Sequence, residues 1–391
     1  MAERITNQMQ LRVTPGNTPR TDTRVVFAFR GGRKELLARI ASDVAPDEFL
    51  YGFTQARQQF PMTAIVEAEH STSIFAGLFR LVPLITCKLG FGLFFNAPFS
   101  NLRTLQAASV IVATTDSTGI PLLIMKRCGV LRAAIIVISQ GLHSIGDETA
   151  ALPWSDWLKR RLGYCLAEAS AIVALGDGDA EAIAASFSFC RLPEVRIIQF
   201  GIDAAFWHPG DPETALDGFV LSVGSDRLRD YPTLLEAIDT TPLHLVTRLP
   251  IGANYHRPSV RIESDLEWVR LRDLYQRARF VVTPVKDQPR DSGHSATLQA
   301  MACGKAVILS DTAGLWDRER MVHGETCYLV KPGNVQAMRE AIAYLYSRPA
   351  EAARIGRNAR QLVVDSYSSA EFGSRLSELI TEHATDGSAK E

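Results

Sequence analysis

Short apolar runs, rich in β-branched residues and closed by glycine or a polar turn, recur along this chain. They alternate with longer stretches whose apolar positions fall three or four residues apart. The first run, Arg24–Arg30, ends at Gly31 and Gly32 and gives way to Arg33–Ile40, spaced for one helix face. That is a strand, a glycine turn and a helix. The unit repeats at Ala64–Val66, Val110–Ala113, Ala134–Ser139 and Ala171–Leu175, each short and almost wholly apolar. Strands buried on both faces of a parallel sheet have this composition. Helix-length segments, including Trp154–Ala169 and Asp179–Ser186, separate them.

Val195–Phe200 then leads into a turn-rich stretch, Gly201–Gly210. The rhythm restarts at Phe219–Val223 and continues through Leu243–Thr247, Phe280–Thr283, Ala306–Leu309 and Cys327–Val330, with helices over Pro232–Ile238, Ser295–Ala302, Asn334–Ser347 and Pro349–Ser366. Two series of β–α units predict an α/β protein of two Rossmann-like domains facing across a cleft. The expected divisions are a flexible lead-in at 1–23, a first domain at 24–205 and a second at 206–366. Residues 367–391 would form a C-terminal helix and tail that can return to the first domain, with the polar end fraying from Thr381.

A length of 391 residues suits two domains of roughly 150–200 residues each. Lys plus Arg (42) balance Asp plus Glu (43), so no global field favours nucleic acid and an anion site has to be built locally. The six cysteines show no C-x-x-C and read as reduced thiols of a cytosolic protein. No histidine spacing suggests a metal site. The polar opening, with Pro15 and Pro19, lacks the apolar core of a signal peptide. Leu81–Pro98 is the most apolar stretch, but Pro83, Lys88, Gly90 and Gly92 interrupt it, and it is short of the about 20 apolar residues a span needs. Ser73–Phe99, with its phenylalanines beside Arg80 and Lys88, fits either a buried helix pair or a basic aromatic surface resting on a bilayer. The expected location is cytoplasmic, with peripheral contact at the inner membrane in the second case.

Doubly wound sheets bind ligands beyond the C-terminal ends of their strands, which selects three loops. In Asp291–Gly304 a glycine loop enters a helix whose first turn exposes the amides of Gly293, His294 and Ser295, a setting for phosphate. The alternative is an ordinary helix start with Ser292 or Ser295 as cap. In Val223–Tyr231, Gly224 and Ser225 precede Arg227 and Arg229, which can hold phosphate oxygens or pair with Asp226 and Asp230. The third loop is Gly31-Gly32-Arg33, where a bound molecule can approach the backbone closely. Neither a dinucleotide fingerprint nor a Walker loop is present.

Taken in order, Gly201-Ile-Asp with Phe206 and Pro209, Val223-Gly224 with Arg229-Asp-Tyr, Gly293 with Leu298–Gly304, Ser310-Asp311, Gly314, Gly324-Glu325, Pro332-Gly333 and Ser366-Tyr-Ser resemble the donor-binding domain of the GT-B retaining glycosyltransferases of family 4. The resemblance implies a hexosyltransferase-like enzyme that moves a sugar from a nucleoside diphosphate sugar to an acceptor hydroxyl. It implies retention, no metal and no cofactor beyond that co-substrate. The acceptor would be a small molecule, a glycan or a lipid-linked group, received by the N-terminal half at Gly31, Gly32, Arg33 and Gln140. Arg229 would neutralise the diphosphate, with Gly224, Ser225, Arg227, Ser292, Gly293, His294 and Ser295 around the donor. Two family glutamates eight positions apart fall on Asp291, which keeps the charge but is ~1.5 Å shorter, and on Gln299, which can still accept a hydrogen bond. A family histidine near the reacting sugar falls on Gln140 by strand-end counting, or on His143 three residues later. His143, Asp291 and Arg229 are thus the catalytic candidates. The two substitutions leave a non-catalytic sugar-nucleotide binder as the alternative, beside an epimerase or phosphorylase of the same fold.

Overall fold

A computed structural model describes residues 23–67, 86, 92–142, 155–211, 218–288 and 292–386. Six strands, β1 (Val25–Ala28), β2 (Ala64–Val66), β3 (Val110–Ala113), β4 (Ala134–Ile138), β5 (Ala171–Ala174) and β6 (Glu194–Ile197), form one parallel sheet in the order β2-β1-β3-β4-β5-β6. Six more, β7 (Val220–Val223), β8 (Leu243–Val246), β9 (Val260–Glu263), β10 (Val281–Thr283), β11 (Val307–Ser310) and β12 (Tyr328–Val330), form a second in the order β12-β11-β10-β7-β8-β9. The central strands are buried along their length, which explains why they read as unbroken apolar runs. The GT-B expectation of two facing α/β sheets holds.

Two of the elements that the sequence reading did not name show why they were missed. β9 alternates Val-Arg-Ile-Glu because it is an edge strand that pairs only with β8 and keeps part of itself in water. Helix Asp116–Arg127 contains Pro121, which removes one helix donor. The carbonyl of Ser117, four residues earlier, is taken instead by the Phe94 N–H at 3.0 Å.

The Thr381 expectation needs correction. Helix Ser369–Asp386 continues past it, because Leu376, Leu379 and Ile380 are buried and the Thr381 hydroxyl donates to the Ser377 carbonyl at 2.9 Å. This helix lies against the N-terminal half. A Cβ on Gly52 would meet the Cα of Gly373 at 2.9 Å, Phe372 packs beside Tyr51, and Glu382 pairs with Arg196 at 3.0 Å.

One apolar cluster joins the inner faces of both sheets through Phe200, Ile202, Phe206 and Trp207, and through Tyr367 and Phe372 of the returning chain. The two crossing segments run side by side: the Ile202 N–H donates to Tyr367 at 2.7 Å and the Ser369 N–H to Ile202 at 2.9 Å. Gly201 sits so close to the Ser368 carbonyl that no Cβ fits. Among the described residues no helix is long and apolar enough to cross a membrane. Most of Ser73–Phe99 lies outside the described residues. Of its aromatic residues, Phe94 carries the Arg30 guanidinium 4.2 Å above its ring, and Phe99 is 41% exposed.

Candidate active site

The loop after β7 and the glycine loop before helix His294–Ala302 meet over one side chain. Arg229 is only 5% exposed. A Cβ on Gly224 would collide with its Nε, and one on Gly293 would lie 2.9 Å from its Nη1 and 2.5 Å from Thr283 Cγ2. Both glycines have positive φ, 148° and 82°. The loop is fixed from below, since Arg229 bridges Val285 and the Asp230 N–H donates to the Pro284 carbonyl at 3.1 Å. Asp230 does not pair with the arginine; it caps helix Tyr231–Ala237 through Thr233. Among the described residues neither Nε nor Nη1 of Arg229 has a hydrogen-bond partner. A buried guanidinium with open donors costs several kcal/mol unless an anion joins it.

Beside it, helix His294–Ala302 starts at Gly293 with no side-chain cap. The expectation of a Ser292 or Ser295 cap is therefore corrected: Gly293, in the left-handed region, is the first flanking residue, and the Ser292 hydroxyl is buried without a partner among the described residues. The guanidinium packs directly against Gly293, and the 292–295 turn it adjoins lines the pocket at the cleft, where the amides of a helix start suit a phosphate. Arg227 is exposed, and the Ser225 hydroxyl is engaged by the Arg248 N–H at 2.9 Å. Of the two loop arginines, Arg229 is thus the buried one at the glycines.

His294 is buried, its ring stacked on Trp316 at 4.2 Å and set edge-on to Phe200 at 5.7 Å. Gln299 is 4% exposed, and its amide is engaged on both sides. Its Nε2 donates to Glu48 at 3.1 Å, and its Oε1 accepts from the Tyr275 hydroxyl at 3.4 Å. Glu48 also accepts from Trp207 Nε1 at 2.8 Å and from the Asp203 N–H at 3.2 Å. Burial outweighs these bonds and pushes the Glu48 carboxyl up to about 8.

Across the cleft, Gln140 follows β4. Its Nε2 donates to the Thr114 carbonyl at 2.9 Å and to the Tyr51 hydroxyl at 2.7 Å. Both amide protons are then used, and Oε1 remains as its acceptor. Tyr51 holds a φ of 48°, unusual for a non-glycine residue, and burial pushes its phenol up to about 12. Tyr51, Gln140, Phe49 and Phe200 line a pocket of about 170 Å³ with Asp226 and the 292–295 turn. His143 and Asp291 lie outside the described residues. Gly32 and Arg33 line a second cavity next to this pocket, where Arg33 and Lys34 donate backbone N–H groups to the Glu67 carboxylate at 2.7 and 3.4 Å. Gly31 has open space around it. Sequence reading missed Glu48, Phe49, Tyr51 and Trp316. Only Tyr51-Gly52 carried a signal, a turn pair ahead of a helix.

Comparison with known proteins agrees with the fold. Residues 243–348 match a family described as "Glycosyl transferases group 1". No curated protein matches the sequence. Among solved structures, sucrose-phosphate synthase from Thermosynechococcus elongatus is 17% identical with a TM-score of 0.66, covering 92% of this chain and 98% of its own. HepE of Anabaena, solved in complex with UDP-glucose, is 15% identical with a TM-score of 0.63 and coverages of 92% and 99%. TarM of S. aureus is 13% identical with a TM-score of 0.57 over 74% of this chain and 59% of its own. The chain is therefore a GT-B fold whose second sheet carries a glycosyl transferases group 1 segment.

Proposed function

We propose that this protein transfers a sugar from a nucleoside diphosphate sugar to an acceptor hydroxyl, with retention and without a metal. The observation that carries the reading is Arg229: buried, unpaired at Nε and Nη1 among the described residues, and fenced by two glycines at an uncapped helix start. As the bond from the anomeric carbon to the leaving oxygen breaks, negative charge gathers on the diphosphate. The guanidinium and the 293–295 amides stabilise that charge in place, with little reorganisation. Gln140 and Tyr51, which line the other wall of the pocket, would offer the donor sugar an amide oxygen and a hydroxyl. His143 and Asp291 remain the catalytic candidates beside Arg229, by resemblance.

UDP-glucose, bound by HepE, is the first donor to test. Each charge-assisted hydrogen bond is worth about 1.5–3 kcal/mol. Titration calorimetry of UDP against Arg229→Ala is therefore expected to show a loss of about tenfold to a hundredfold. Equal affinity for both proteins would remove the diphosphate from this position. A second reading, a sugar-nucleotide binder without turnover, is favoured by one observation. Gln299, at the position of a family glutamate, is engaged by Glu48 and Tyr275 rather than open to a ribose. Binding of the donor without release of sugar, whatever the acceptor, is what that reading expects.

A further inference from the structure

A cavity of about 380 Å³ lies beside the donor pocket and shares Phe49 with it. That size is within the roughly 300–1,000 Å³ of small-molecule sites. Apart from Trp268, its walls come from the N-terminal half: Arg33, Glu35, Leu36 and Arg39 of helix Arg33–Ala41, with Phe49. Trp268 and Phe49 stack on one another, centroids 5.4 Å apart and planes at 28°, as a half-buried aromatic wall. Aromatic walls suit the apolar faces of sugar rings, whose hydroxyls point to the rim. Arg33 lines this cavity, its Nε is buried and lacks a partner among the described residues, and its charge bears on the Tyr51 phenol of the neighbouring pocket. Arg39 lies further out and pairs with Glu267 of the second half. Glu35, the carboxylate among the lining residues, is exposed.

We infer that this cavity is the acceptor subsite, and that the acceptor is a saccharide bearing an anionic group, phosphate or carboxylate, held by Arg33. The inference rests on the donor site proposed above. A donor fixed by its diphosphate at Arg229 and Gly293 presents its sugar beside Tyr51 and Phe49. An acceptor entering from the Arg33 side meets that sugar with its anion held behind the transfer point. The Glu67 carboxylate already accepts from the first amides of helix Arg33–Ala41, so the guanidinium, and not the helix start, is the anion contact.

The test is binding of hexose phosphates, hexuronates and the matching neutral hexoses to the full-length protein at saturating UDP. Expected is at least tenfold tighter binding of one anionic class than of its neutral parent, and the class that binds distinguishes phosphate from carboxylate. Arg33→Gln is expected to remove that preference, and Trp268→Ala to weaken both charged and neutral sugars tenfold or more. UDP affinity is expected to stay within twofold in both variants, which also shows that each is folded. Loss of UDP affinity in either folded variant, checked by circular dichroism, would make the cavity a nucleoside site and overturn the inference. So would competition between UDP and the anionic sugar, or a panel that binds with no charge preference or not at all. Failure of wild type to bind UDP would instead remove the donor reading on which the inference stands.

Discussion

Arg229 concentrates the electrostatic cost of the cleft in one side chain. Among the described residues this buried cation has no carboxylate partner, the setting in which an incoming anion would complete it, and both surrounding glycines leave it room. Gly293→Ala is accordingly predicted to weaken UDP binding at least tenfold, because its methyl group would press on Thr283 and Arg229 at a φ of 82°. Stability should fall by about 1–3 kcal/mol from the strained backbone. An unchanged melting temperature and UDP affinity would show that the loop has another shape in solution. At this scale the sequence was partly informative. Gly224, Arg229 and Gly293 stood out because they fall in order within the series that resembles the family's donor domain, whereas each loop alone also reads as an ordinary turn or helix start. Gln299 also stood out, yet its surroundings could not be read, because Glu48 and Tyr275 reach it from 251 and 24 residues away. Tyr51 and Phe49 were hidden for the same reason: aromatic residues in an apolar stretch look like core until the opposite half is in place.

Elements were easier to read than contacts. Strands β1, β3 and β5 lie in apolar runs because both sheet faces are covered, whereas β9 sits at an edge where alternation and charge hide it. Helix Asp116–Arg127 was obscured by Gly119 and Pro121. The glycine is needed because a Cβ there would meet Val137 Cγ1 at 2.8 Å, and the proline is tolerated because Phe94 serves the freed carbonyl. Helix Ser369–Asp386 reads as polar at its end, but its buried face is narrow and falls on the N-terminal half. The paired crossing strands beside it give a prediction at this scale. Gly201→Ala pushes a methyl group into the Ser368 carbonyl and should lower stability by about 1–3 kcal/mol. Thermal unfolding measures this, and a melting temperature equal to wild type would contradict the close approach of the two segments.

The whole molecule is joined across its cleft by one apolar cluster and by the Glu48 network, in which a residue of the first half meets Gln299 of the second. Burial raises Glu48 from 4.5 to about 8, and Asp47 is raised too, by burial with Asp203 nearby. The folded state therefore holds a proton that the unfolded chain releases, so stability is greatest below about 4.5 and declines as pH rises through about 8. Glu48→Gln should flatten that decline, and parallel melting curves for the two proteins between pH 5 and 9 would contradict the assignment. A domain junction held by a neutral carboxyl also fits a cleft in which donor and acceptor meet away from water. The most direct test of the central claim is release of nucleoside diphosphate from a panel of nucleoside diphosphate sugars, UDP-glucose first, with acceptor sugars supplied. Wild type is expected to consume one donor and place its sugar on the acceptor, and Arg229→Ala to abolish both. A folded wild-type protein that neither binds nor consumes any donor would contradict it.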